Sequence, residues 1–187
     1  MRIQNINSAQ SFGKTPVMYC KIKRADNREK TRATLYKLDI FDHRDITYAK
    51  YSNTSLRFLH DMINDKRNSQ PKEYFLMTDD KTGDVISCAE TSNHLRVSND
   101  KISGKYLLIN EYNQSGNYIR PDVPMFAFFA KKAASGGNGN IAIGTPNIEE
   151  STLKKDGFLQ AQNTEWYMPH TRYSGIIALA KKFNFIG

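Results

Sequence analysis

Two glutamates lie inside strand-like runs of this 187-residue chain and have the chemistry of a general base. Glu90 belongs to the run VISCAET and Glu111 to the run KYLLINEY. A carboxylate can take a proton from an amine, directly or through water, if its surroundings raise its pKa towards neutrality. The competing interpretation of each is an exposed strand carboxylate, because glutamates are rarely buried.

The histidines and cysteines offer less chemistry. His60 falls on a predicted helix and His94 in a predicted loop, so a surface role is the simpler interpretation of both. No pair of histidines has the spacing of a zinc site. Cys20 and Cys88 lie in strand-like runs and are expected to be buried free thiols. Two cysteines predict no disulfide framework and favour a reducing compartment, which we expect to be the cytoplasm.

The net charge of +8 comes from both ends of the chain, and mainly from the N-terminal part. Residues 1–50 contain eleven Lys and Arg against five Asp and Glu, and the densest stretch is 21–32, KIKRADNREKTR. A segment of this kind favours a polyanionic partner such as nucleic acid, although a solvated basic loop is the commoner explanation.

The hydropathy pattern predicts neither a membrane span nor a conventional signal peptide. No run of eighteen apolar residues occurs, and the mean hydropathy is −0.62. Residues 1–15 lack an apolar signal core and are predicted to be a disordered or weakly ordered tail. A short export signal within this tail stays an open alternative. We expect residues 16–187 to form one domain.

The apolar periodicity predicts an α/β or α+β architecture for that domain. Two apolar runs flank the turn sequence DDKTGD and predict a hairpin. We expect Asn53 or Thr54 to begin the first helix, and Asp122 to cap the helix whose apolar side is MFAFF. Further strands are expected at 17–24, 32–41, 105–112, 140–145 and 157–168, and helices at 53–66, 123–134, 147–156 and 173–183.

The segment 147–158 has consistent local signals for a short helix that joins two strands. The helical stretch IEESTLKKD has two glutamates near its start and two lysines near its end, as the helix dipole favours. Gly157 can take the left-handed conformation that ends a helix, and Phe158 can then pack back against it.

This order of elements, with its Gly–Phe join, resembles the GNAT N-acetyltransferase superfamily over roughly residues 35–168. The resemblance implies a mixed, mostly antiparallel central sheet flanked by helices. It implies acetyl-CoA or another acyl-CoA as acyl donor and an amine, on a small molecule or a protein, as acceptor. Because the central strands supply the base in this family, Glu90 and Glu111 are the implied bases.

The resemblance also implies a cofactor site where the strand 105–112 leads into the next helix. The strand backbone would bind the pantetheine arm, and the loop NQSGNYIR would bind the pyrophosphate. The implied cofactor-binding residues are Leu108, Ile109, Asn110, Gln114, Ser115, Gly116, Asn117, Arg120 and, after the following strand, Asn147.

The sequence departs from the family pattern at two places. The phosphate loop keeps one glycine, Gly116, and the carboxylate of Asp122 would repel a pyrophosphate at the helix N-terminus. Leu153 occupies the position of the family's acid tyrosine. Tyr112 is the substitute acid that we name, with Tyr118 and Tyr167 as other candidates.

Three functions therefore stay open from the sequence. The first is acyl-CoA-dependent N-acetyl transfer. The second is binding by a non-catalytic GNAT-like domain. The third is nucleic-acid binding by an α/β domain through residues 21–32.

Overall fold

The computed structural model describes residues 14–51, 56–64, 72–96, 104–146, 148–161 and 165–184. Most of the predicted tail, the predicted helix start at Asn53 or Thr54, and Asn147 lie outside these ranges. None of the helices within them is long and apolar enough to cross a membrane.

The described part of the chain contains nine strands and five α-helices. In chain order they are β1 (Thr15–Arg24), β2 (Lys30–Leu38), α1 (His43–Tyr51), α2 (Leu56–Asn64), β3 (Glu73–Asp79), β4 (Val85–Arg96), β5 (Gly104–Gln114), β6 (Tyr118–Ile119), α3 (Asp122–Ser135), β7 (Asn140–Pro146), α4 (Glu150–Asp156), β8 (Leu159–Gln160), β9 (Trp166–Pro169) and α5 (Tyr173–Ala180). Short 3₁₀ helices at 170–172 and 181–183 precede and follow α5.

All nine strands form one sheet in the order β6-β1-β2-β3-β4-β5-β7-β9-β8. Neighbouring strands are antiparallel except β5 and β7, which are parallel because α3 crosses over between them. This architecture confirms the mixed, mostly antiparallel sheet that the sequence predicted.

Three elements differ from the prediction. Helix α1 was not among the predicted helices, because DHRD predicted only a turn or a helix start. Asp42 begins this helix by accepting a hydrogen bond from Arg44 N at 2.9 Å. The expected strand 157–168 is instead the two short strands β8 and β9. Strand β6 is additional and pairs with the end of β1.

Helices cover both faces of the sheet. The larger core lies under α3, α4 and α5, on what we call the α3 face, and contains Met125 and Phe129 as the sequence predicted. Phe128, predicted with them, is half-buried, and Phe126 is fully buried. A second core lies under α1 and α2, on what we call the α2 face, and includes Phe58 and Met62.

The join between α4 and β8 has the predicted geometry. Gly157 adopts φ +100°, and Phe158 N donates a hydrogen bond to Leu153 O at 3.0 Å. The Phe158 ring is buried with its centroid 5.1 Å from that of Phe126. The turn after α4 therefore packs against α3 through the contact between the Phe158 and Phe126 rings.

Candidate functional site

Glu90 on β4 and Glu111 on β5 lie directly opposite each other in the sheet. They are 1% and 7% exposed, so the interpretation as exposed strand carboxylates is wrong for both. Their carboxylate oxygens and one from Asp61 of α2 lie within 4.8 Å of one another. The fold thus brings the two predicted bases together beneath α2.

Lys72 provides the positive charge beside this pair. Its Nζ donates a hydrogen bond to Glu90 Oε1 at 2.8 Å and lies 3.7 Å from Asp61 Oδ2. Glu111 accepts a hydrogen bond from the Asn113 amide. Within the described ranges, the buried Oε2 of Glu90 has no hydrogen-bond partner.

The environment of Glu90 suits a base. Burial raises the pKa of Glu90, the hydrogen bond and charge of Lys72 oppose that effect, and the charges of Asp61 and Glu111 add to it. A carboxylate with a raised pKa and an unoccupied acceptor oxygen can take a proton from an amine that reaches it.

A row of polar side chains continues along β4 and β5 from the pair. Asn110 Nδ2 donates to Ser92 Oγ at 2.9 Å, and Ser92 Oγ lies 2.7 Å from His94 Nε2. The His94 ring stacks on Tyr106 with centroids 5.5 Å apart. His94 therefore lies in a strand rather than the predicted loop.

The sequence reasoning missed Ser92, although a signal for it was present. Glu90, Ser92 and His94 alternate along one strand, and alternate residues of a strand share a face. A period-two search from Glu90 would have identified all three.

An open groove of about 610 Å³ lies beside Lys72. Its lining combines apolar and charged groups and includes Phe41, whose surface is 70% exposed. The other residues that border it include Leu38, Asp39, Ile40 and Asn93. Lys72 lines this groove and contacts Glu90, whereas Glu90 and Glu111 are buried and do not line it.

The structure does not bring Tyr112 to this site. Its ring is fully buried on the α3 face, with its centroid 5.2 Å from that of Phe126, and its hydroxyl donates to Gln114 Oε1 at 3.0 Å. Burial raises the pKa of Tyr112 well above its ordinary value. The alternative Tyr118 is also buried and hydrogen-bonds Asp79 at 3.2 Å.

Of the three predicted acid candidates, Tyr167 lies on the same face of the sheet as Ser92. It pairs with Ala142, which pairs with Leu108, and Leu108 pairs with Ser92. Residues that pair across a sheet share a face.

The strand predicted to hold the pantetheine arm is paired along both edges. The predicted contacts were Leu108, Ile109 and Asn110. Leu108 and Ile109 pair with β7 on one edge and with β4 on the other, and the pairing with β7 resumes at Glu111 and at Tyr112, opposite Pro146. Asn110 lies at the irregularity and has no paired residue among these described strands. Among the described residues, Leu108 and Ile109 therefore have no open edge at which an arm could bind the β5 backbone.

The predicted phosphate loop is tied to its neighbours. Gln114 pairs with β4, Ser115 N donates to Ile86 O at 2.8 Å, and Asn117 N donates to Ser115 Oγ at 3.2 Å. The loop's single glycine, Gly116, is exposed, and a Cβ added to it would meet no atom within 4 Å. Two of the amide donors expected for a phosphate are thus already used.

Arg120 is enclosed by carboxylates. Its Nε donates to Asp122 Oδ2 at 3.0 Å, and its guanidinium also bonds Asp156. Both aspartates are buried. The expected cap at Asp122 is wrong, because Pro121 holds the N-cap position of α3 and no side chain caps it. Burial, followed by the contact with Asp122, raises the pKa of Asp156 to about 8.

These residues do not fit a pyrophosphate. A guanidinium that two carboxylates already contact has little attraction left for another anion, and buried acids at a helix N-terminus repel one. The cluster of Arg120, Asp122 and Asp156 occupies the place where the resemblance put the phosphates. The structure places Glu90 and Glu111 together, Tyr112 on the opposite face of the sheet, and Arg120 in contact with Asp122 and Asp156.

Comparisons with known proteins identify the fold. No family model matches the chain, and no curated protein matches it. A crystal structure of a bacterial toxin is similar with a TM-score of 0.50 and 9% identity, covering 88% of this chain and 97% of that one. Apo FdhC, a nucleotide-linked sugar GNAT, is similar with a TM-score of 0.50 and 11% identity, covering 87% and 97%.

A third structure, of a KacTA–DNA complex, is similar with a TM-score of 0.47 and 8% identity, covering 75% of this chain and 88% of that one. The chain has the GNAT fold, as the resemblance implied. At these identities the likeness extends to the fold alone.

Proposed function

We propose that this protein transfers an acyl group, in the simplest case the acetyl group of acetyl-CoA, to a primary amine bound at Glu90 and Glu111. The observation that carries the proposal is the buried, directly opposed pair of carboxylates in a GNAT fold. Both free cysteines are buried, which fits a protein of the reducing cytoplasm.

Lys72 supports the choice of an amine as acceptor. Its ammonium group already contacts Glu90 and Asp61, so the cluster binds a primary ammonium in the folded protein. The free Oε2 of Glu90 can accept a hydrogen bond from a second ammonium. In this proposal Glu111 helps to hold the substrate nitrogen, and Glu90, whose pKa is raised, takes its proton.

The groove beside Lys72 supports an acceptor that is both cationic and partly apolar. Asp39 offers a negative charge, and the exposed Phe41 ring offers an apolar surface. A small amine or a lysine side chain on a protein has this chemistry.

A second function, ligand binding without catalysis, is favoured by the donor side of the molecule. Within the described ranges, the Arg120 cluster and the pairing of β5 with β7 at Leu108 and Ile109 both oppose conventional binding of acyl-CoA. A GNAT-fold domain with only the acceptor site would bind amines and transfer nothing.

The test measures release of free CoA from acetyl-CoA in the presence of a panel of primary amines. The Glu90→Gln variant is expected to lower kcat/KM by about 100-fold or more, since a general base contributes this much. The Glu29→Gln variant is the matched control, because Glu29 is a carboxylate paired with Lys81 that lies outside both the cluster and the groove beside Lys72. It should remain within about twofold of the unmodified protein.

Thermal unfolding with acetyl-CoA separates the two functions. Binding at about 100 times Kd adds about 2.7 kcal/mol to the free energy of unfolding and raises Tm. If Tm does not change at about 1 mM acetyl-CoA and no amine causes CoA release, acyl transfer is refuted. Amine binding that Glu90→Gln abolishes would then identify the non-catalytic function.

A further inference from the structure

The basic segment 21–32 is not uniformly available for binding. Arg24 lies 3.7 Å from a buried aspartate of β3, and Arg32 lies 3.1 Å from the aspartate that follows it. By contrast, Lys21, Lys23 and Lys30 are exposed. Across the parts of the chain that the structure describes, none of these three lysines has an ion-pair partner.

These three lysines border a groove of about 290 Å³. It lies where β1 and β6 approach the start of α3 and the 3₁₀ helix that follows α5. Lys182 of that helix adds a fourth ammonium group, and none of the described residues that line the groove is acidic. We call it the lysine groove.

The rest of the lining is largely apolar. Val123 is buried, and Leu179 and Phe183 are half-buried. Arg120 also lines the groove, but its charge is directed to Asp122 and Asp156. The groove therefore combines an apolar wall with four lysines that have no ion-pair partner among the described residues.

We propose that the lysine groove binds a phosphorylated nucleotide, either free or within a single-stranded nucleic acid. Ammonium groups bind phosphate as point charges, and the apolar wall offers a surface for the base. The groove volume of about 290 Å³ is close to the lower bound for small-molecule sites, so the ligand is expected to be small. Charge complementarity makes an anion the ligand, and the apolar wall favours a nucleotide over a bare phosphate.

The experiment is isothermal titration of the full chain with ADP, inorganic phosphate and a 5′-phosphorylated oligothymidylate. ADP is expected to bind at least about tenfold more tightly than phosphate, since the base adds contacts that phosphate lacks. The Lys23→Glu and Lys182→Glu variants should each weaken ADP by about fivefold or more. The matched control is Lys155→Glu, which changes the net charge equally at an exposed site on α4 outside the groove.

If the oligonucleotide displaces ADP and binds with a steep salt dependence, the source is a nucleic-acid strand, whereas ADP binding alone indicates a free nucleotide. Binding of ADP no tighter than phosphate, or equal weakening by Lys155→Glu, would overturn the proposal. The nucleotide proposal does not rest on acyl transfer. Glu90→Gln should lower kcat/KM for transfer by about 100-fold or more and leave ADP binding unchanged.

Discussion

Replacing Asp156 by asparagine tests whether a buried carboxyl group stays protonated in the folded protein. Burial and the contact with Asp122 raise its pKa from 3.8 to about 8, although Arg120 opposes them. Protonated Asp156 can donate to Asp122 and accept from Arg120. An asparagine amide can make the same two contacts without titrating.

The sign of the effect follows from linkage. A pKa that is higher in the folded than in the unfolded state stabilises the fold at low pH, and this contribution is lost as the pH rises towards about 8. Between pH 5 and pH 8 one carboxyl group can lose at most about 4 kcal/mol. Because Arg120 and Asp122 share the charge change with Asp156, we expect about 1–2 kcal/mol.

Asp156→Asn should therefore gain that amount of stability relative to the unmodified protein when the pH is raised from 5 to 8. Urea unfolding can be followed by the fluorescence of Trp166, the single tryptophan, which is 4% exposed. Asp26→Asn is the control, since that aspartate side chain is 65% exposed. If the Asp156 variant and the unmodified protein differ by the same free energy at both pH values, the assigned protonation is wrong.

Three further substitutions, the first with a control substitution, test the fold and the placement of the site. Gly157→Ala should cost about 1 kcal/mol in urea unfolding because its φ is +100°, whereas Gly116→Ala, in open space, should be nearly neutral; equal costs would contradict this. Phe158→Ala should cost about 3–5 kcal/mol, and a loss below about 1 kcal/mol would show that the ring contributes little packing. Tyr112→Phe should leave kcat/KM within about twofold, because its hydroxyl lies on the α3 face; a loss of about 100-fold would place it at the reaction.

Several elements were predictable because their signals are local. The Gly157–Phe158 join depends on one left-handed residue and one neighbouring aromatic ring, both visible within a few residues. The MFAFF stripe repeats at helical spacing, and the hairpin around DDKTGD has its turn residues between two apolar runs. Buried cysteines followed from apolar flanks.

Partners of buried charges were not predictable in this way. Glu90 and Glu111 were candidates from the sequence, but their direct opposition depends on the register of β4 against β5, which includes an irregularity next to Glu90. Ser92 and His94 joined the site only because that register aligned them with Asn110. Burial of each carboxylate then depended on α2 lying above it.

The donor side shows the same division. The sequence determined that Arg120 and Asp122 lie near the start of α3, and from it we expected a phosphate ligand and a helix cap. Asp156 lies 36 residues from Arg120, and the crossover through β7 and α4 brings the two together. Backbone preferences are fixed by a residue and its neighbours, whereas the energy of a buried charge depends on every group packed around it, and only the tertiary structure specifies those groups.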